Sequence, residues 1–484
     1  MRARGSDLSI RVADTPISGW TVAACVLAIC FLGGLSLAWI PPEIVLGLTV
    51  LGVLAVIGIR WPYVGLIVYL CMEFLRPAER LPVLAPLHLT RVIAVFVMIG
   101  WLFRRRRDGF DLWVRSPENT AVLGLLCAAA ISVPTAYWKL VAFDAVLDVL
   151  RTAMVFILIA NIINTPKRLM GFITTYILLN VFASGEQLIR YATTSAPAAG
   201  GLLRVAGAGS FLGEDGDFAL AMGVALPFVY YTAWSHVKPV WRVLSGVACL
   251  MFLASIVCTG SRGGVVGLVA VVLVLVARSR RRLVAAMVVM GVVLVAWTLA
   301  PSAYRQRIAT IAAPHERDLT AQTRMVSWKA ARRMFMDHPV TGVGAGNFMP
   351  AFVGAYGGGY GWSTTAHNVF YQTIAELGIC GILPFTVLLL CTFSRSLLLN
   401  AELVRAGFGT TPVAAYAAAL FPSALGFIVA GSFQTPLYYP HIYLIAALGV
   451  ALNNIAKPLV AQPEEKEVHG KWSPERMCSM RAWR

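Results

Sequence analysis

The chain has 484 residues, 58% of them hydrophobic and only 13% charged, with a mean hydropathy of +0.74. A soluble protein of this length needs far more polar surface, so composition alone predicts an all-α polytopic membrane protein. The net charge of +17 does not argue for nucleic acid, because the basic residues come in short runs between apolar segments, as topology signals do.

In chain order, Met1 to Ser18 carries three arginines but no small-residue cleavage site follows the first apolar run, so that run reads as a retained span. Apolar stretches follow near 19–39, 44–59, 63–75, 88–103, 118–134, 144–163, 168–184, 217–234, 240–258, 263–277, 283–300, 378–398, 411–431 and 440–456. Several fall short of the ~20 residues that cross a bilayer, so the expected number of spans is 12 to 14. The nine cysteines form no CxxC and no Cys/His cluster, which indicates neither a disulfide framework nor a structural zinc.

The chain divides into an N-terminal bundle (1–300), a loop carrying a histidine motif (301–377), C-terminal spans (378–456) and a tail (457–484). With the N-terminus in the cytoplasm, Arg104 to Arg107, Lys167, Arg168, Lys238, Arg242, Arg278, Arg280 to Arg282, Arg395, Arg405 and Lys457 all fall on the cytoplasmic side. The outer segments then hold the unusual chemistry. The longest, Pro301 to Ala366, has seven basic residues against three acids. Arginines kept outside call for an anionic partner.

Within that segment, Asp318 to Asp337 predicts an amphipathic helix. Arg324 lies on its apolar face with Trp328, Ala331 and Phe335, while Lys329 and Arg333 lie on the solvated side. A guanidinium on an apolar face must be paired, with a carboxylate of the fold or with a phosphate-bearing substrate. Arg262 sits among glycines in Thr259-Gly260-Ser261-Arg262-Gly263-Gly264, at the outer end of two spans. It either snorkels or binds an anion. Arg204 lies in a third, glycine-rich outer stretch. Glu214, Asp215 and Asp217 either cap the following helix or hold a divalent ion. Asp148 and Arg151, three residues apart, suggest an internal ion pair.

The run Thr364-Thr365-Ala366-His367-Asn368 is followed by an apolar run long enough to enter a bilayer, and Gly378 and Gly381 follow His367 by 11 and 14 residues. On a helix, His367, Tyr371, Ile374, Gly378 and Gly381 share one stripe and Glu376 points the other way. Capping by Thr364 or Thr365 puts His367 in the first turn, where the helix dipole favours a neutral, proton-accepting ring. The alternative is a histidine satisfied by a neighbour. The glycine-rich Gly342–Asn347 has no following lysine and no preceding strand, so it is not a phosphate loop. With Tyr356, Tyr360 and Trp362 it forms an aromatic outer loop, for sugar stacking or for the membrane interface.

These residues resemble the bacterial O-antigen ligase and O-antigen polymerase superfamily. The resemblance rests on His367-Asn368, nine residues, Gly378, two residues and Gly381, on Thr259 to Gly264, and on Arg324-Met325-Val326-Ser327-Trp328 with Asp337-His338-Pro339 and Gly342 to Phe348. It covers roughly residues 200 to 385. The family's upstream outer arginine is often written Arg-x3-Leu, whereas the fourth residue after Arg204 is Ala208.

Membership implies a GT-C-like fold with one large, part-helical periplasmic loop in a bacterial inner membrane, surrounded by membrane lipids. It implies a metal-independent, inverting glycosyltransferase without cofactors, and no nucleic-acid partner. The donor is an undecaprenyl-diphosphate-linked glycan and the acceptor, for a ligase, is lipid A–core oligosaccharide. His367, Arg262 and Arg324 are then catalytic, and Arg204, Asn368, Tyr371, Trp328 and Gly378 contact substrate. A polymerase or a protein O-oligosaccharyltransferase shares this chemistry. A lipid-linked glycan flippase is a rival that predicts ionisable residues along several spans.

Overall fold

The structure is a computed structural model that describes residues 42–107, 115–194, 211–235, 239–299, 305, 319–358 and 363–460. The expected first span, residues 461–484 of the tail and Arg204 lie outside the described residues. Among the described residues the secondary structure is helical, without strands.

Fourteen long helices are described: α1 (Pro42–Arg60), α2 (Pro62–Leu75), α3 (Leu89–Arg107), α4 (Pro117–Ser132), α5 (Lys139–Ile162), α6 (Pro166–Thr193) and α7 (Asp215–Ser235). They continue with α8 (Pro239–Thr259), α9 (Arg262–Arg278), α10 (Arg282–Leu299), α11 (Leu319–Asp337), α12 (Val369–Arg405), α13 (Pro412–Gly431) and α14 (Pro440–Val460). Every apolar stretch expected within the described residues carries a helix. Seven regions of the described chain are long and apolar enough to cross a membrane, and four further apolar helices are shorter. The protein is an all-α, multi-pass membrane protein.

Local chemistry sets the helix starts. Proline occupies the first position of α1, α2, α4, α6, α8, α13 and α14, where its missing N–H costs no hydrogen bond. Ser116, Thr165, Ser261 and Thr411 each accept a bond from the backbone N–H three residues on. A cap of this kind stabilises a helix by about 1 kcal/mol.

α13 and α14 form the centre, their apolar windows 72% buried, and α13 packs on both α7 and α9. α8 lies at the rim with a window only 28% buried. The charges sort by end. Arg104 to Arg107 close α3, Arg278 closes α9 and Arg405 closes α12, whereas Arg262 and Asn368 stand at the opposite ends of α9 and α12. At ~1.5 Å per residue, the 17 residues of α9 separate those two ends by roughly 25 Å.

The internal ion pair is present with a different main partner. Arg151 reaches Glu73 of α2 at 3.2 Å and Asp148 at 3.9 Å, and Asp148 in turn meets Arg91 at 3.3 Å. Glu73 and Arg151 lie 78 residues apart in the chain, so only the packing of α2 on α5 pairs them.

Candidate active site

Arg262 begins α9 after a tight turn. Gly260 takes a φ of 64°, Thr259 Oγ1 accepts from Ser261 N, and Ser261 Oγ accepts from Gly264 N at 3.2 Å. Gly263 then lets α9 close on the loop between α13 and α14, because a Cβ there would stand 2.6 Å from the Phe433 Cβ. Arg324, on α11, approaches the same residue. Its guanidinium donates to the Phe433 carbonyl at 3.3 Å and lies over the Phe433 ring at 5.6 Å. Lys329 and Arg333 are exposed, as the helix-face reading expects.

His367 differs from expectation in its backbone. Asn368, not Thr364 or Thr365, caps α12, its side chain accepting from Phe370 N and Tyr371 N. His367 therefore precedes the helix, in the left-handed region at φ 44°. A histidine in that region is strained by ~1–3 kcal/mol and persists only where its surroundings fix it. Here Trp328 Nε1 donates to the Ala366 carbonyl at 3.1 Å on one side, and Asn368 Nδ2 donates to the Ser432 carbonyl at 3.0 Å on the other. The ring's Nδ1 lies 3.4 Å from Thr365 Oγ1, and that oxygen accepts from Thr435 Oγ1 at 3.1 Å.

The ring is neutral, and the main causes are burial and a cation. Burial first, and the Arg324 charge second, hold its pKa down to about 4, with Asp215 pulling the other way. The Arg324 charge is thus felt at His367.

The remaining expected residues sort into two groups. Trp328 and Tyr371 stack on each other with centroids 5.4 Å apart and planes at 12°, beside His367. Asn368 spends its side chain on the helix cap and on Ser432. Gly378 is buried away from the histidine, where α12 breaks at φ 59° and ψ −150°. Ile379 N and Cys380 N donate across the break to the carbonyls of Pro339 and Val340, and Val343 N and Gly344 N donate to those of Ala375 and Glu376. A Cβ on Gly378 would lie 2.5 Å from the Val340 oxygen, so its place is structural.

Glu376, opposite the histidine stripe, is 3% exposed and anchors the glycine-rich loop. It accepts from Gly346 N, Phe348 N and the Tyr438 hydroxyl at 3.0, 3.3 and 2.5 Å. Asp217 likewise turns inward, to 2% exposure, beside Tyr439.

Sequence reading missed Ser432, Phe433 and Thr435, which tie together the histidine segment, the cap of α12 and Arg324. The available signal was a short polar interruption, Ser432-Phe433-Gln434-Thr435, between two apolar spans at the end that holds the histidine.

No curated protein matches the chain. Residues 247–386 match the family model described as O-antigen ligase, a range that holds Arg262, Arg324, His367, Gly378 and Gly381 and ends before Ser432. Over that region the chain is similar to the O-antigen ligase family.

Proposed function

We propose that the protein transfers a glycan from undecaprenyl diphosphate to a sugar hydroxyl of lipid A–core oligosaccharide, at the periplasmic face of a bacterial inner membrane. The observation that carries this reading is a histidine held neutral within electrostatic reach of an arginine, at the end of the bundle away from the basic clusters. The acceptor hydroxyl attacks the anomeric carbon as His367 takes its proton. The bond from that carbon to the diphosphate breaks, its electron pair stays on the leaving group, and attack opposite to departure inverts the centre. Arg324 and Arg262, with Arg204, supply the positive charge that the departing diphosphate needs, a role that requires no metal.

The same geometry makes the base responsive to its substrate. Arg324 depresses the basicity of His367, and an anionic diphosphate placed on Arg324 offsets that charge. Donor binding therefore raises the proton affinity of the ring at the moment it is needed. The parallel Trp328 and Tyr371 rings, half-buried beside the histidine, are suited to the apolar face of a sugar.

A polymerase or a protein O-oligosaccharyltransferase uses the same groups with another acceptor. Purified protein given one lipid-linked donor and three acceptors separates them. Transfer to lipid A–core is the expected result, and transfer only to a second lipid-linked repeat or to a pilin-like protein overturns the ligase reading. Transport of the lipid-linked glycan across vesicles with no transfer product overturns the enzyme reading altogether.

A further inference from the structure

The loop joining α13 to α14 does more than lie beside the site. Its Ser432 carbonyl holds Asn368, its Phe433 carbonyl holds Arg324, and its Thr435 hydroxyl donates to Thr365 Oγ1, the hydroxyl next to the imidazole. We propose that Thr365 and Thr435 are positioning residues that set the tautomer of His367, Nδ1–H donating to Thr365 Oγ1 and Nε2 facing the acceptor hydroxyl as the bare nitrogen. The inference deepens the reading of His367 as the base and rests on it.

Three observations converge. Nδ1 is the ring nitrogen at Thr365, 3.4 Å away, so Nε2 is the one left for substrate. A distance of this length in the substrate-free site is ordinary for a catalytic hydrogen bond that tightens when the substrate binds. Thr435 donates to Thr365 at 3.1 Å, so the Thr365 oxygen already acts as an acceptor and has a second lone pair for Nδ1–H. The backbone that carries the ring is held as well, since the bonds of Ala366 to Trp328 and of Asn368 to Ser432 flank His367 at its φ of 44°.

A solvated imidazole prefers its proton on Nε2, the wrong nitrogen for this base. An acceptor fixed at Nδ1 reverses that preference, because which nitrogen carries the proton is set by the hydrogen bond the other makes. When Nε2 takes the acceptor's proton, the imidazolium keeps Nδ1–H directed at Thr365, so its added charge meets an oxygen dipole. The same loop holds Arg324, so base and cation share one frame.

The test reads the tautomer apart from activity. The full-length protein, labelled with ¹⁵N-histidine and placed in bilayers, contains seven histidines, and H367Q identifies the signals of His367. The expected wild-type pattern is a protonated Nδ1 and a bare Nε2. T365V and T435V should move proton density to Nε2, and T365S and T435S should restore the wild-type pattern. In transfer assays, T365V should lower kcat by about 30-fold and T435V by about fivefold, with KM little changed, as loss of an orienting partner does. A wild-type ring protonated at Nε2, or a T365V ring still protonated at Nδ1, overturns the proposal whatever the activity. A tautomer that responds while kcat stays constant supports the hydroxyl pair and overturns instead the reading of His367 as the base.

Discussion

Two arginines at opposite ends of the bundle are held in different ways. At the basic end, Arg395 of α12 meets both oxygens of Glu118 on α4, at 2.5 and 2.8 Å, and that carboxylate is 1% exposed. At the other end, Arg324 donates to a carbonyl and lies over an aromatic ring, and its charge is felt at His367. A guanidinium locked to a buried carboxylate serves to join helices. Arg324 is oriented by a carbonyl dipole and a π face beside the histidine, where it could meet an anion.

The comparison can be broken at four places. His367→Ala removes the base and should lower kcat/KM by about 10³-fold, with membrane insertion and helicity unchanged; circular dichroism and a transfer assay check this. Arg324→Gln should cost about 10²-fold in kcat, comparable to losing one charge-stabilising donor, and lysine should rescue little because it lacks the planar fork. If Arg324→Gln were silent while Glu118→Gln abolished transfer, the assignment of the two arginines would be reversed. Glu118→Gln should instead lower stability by about 2 kcal/mol in a detergent melt, with normal activity per folded molecule. The smallest effect belongs to Arg333→Ala, on the exposed face of α11, which should stay within about 0.5 kcal/mol in stability and near wild-type rate.

A pH profile sharpens the same contrast. A base with its pKa held down to about 4 stays unprotonated from there upward, so kcat/KM should fall only below about pH 4, not below the ordinary imidazole value of 6.5. The donor's own ionisation is measured separately and divided out. In Arg324→Gln the acidic limb should move upward, because one of the two lowering causes is gone. It should stop short of 6.5, because burial is the larger cause. An acidic limb that is unchanged in the variant would show that the two groups do not interact.

Much of this arrangement could be read before any coordinates. Apolar runs of the right length gave the helices, and the spacing of basic residues gave one end of the bundle its identity. The position of Arg324 on the apolar face of an amphipathic helix singled it out from Lys329 and Arg333. The local geometry of His367 was not readable, because Thr364, Thr365 and Asn368 are all good caps and only the competition among them decides where α12 begins. Nor was the part played by Gly378, which as a helix residue looks like any position on the histidine stripe. Its break depends on the carbonyls of Pro339 and Val340, which lie in another segment.

By itself, then, the amino-acid sequence determined the residue types of the chemistry and the membrane span pattern, since hydropathy and charge act locally along a chain. The tertiary structure alone decided which groups meet. The Ser432–Thr435 loop reaches Asn368, Arg324 and Thr365 over sequence separations of 64, 109 and 70 residues. No periodicity or spacing encodes such contacts, because backbone carbonyls are the same at every residue and become specific acceptors only when helix packing brings them within reach.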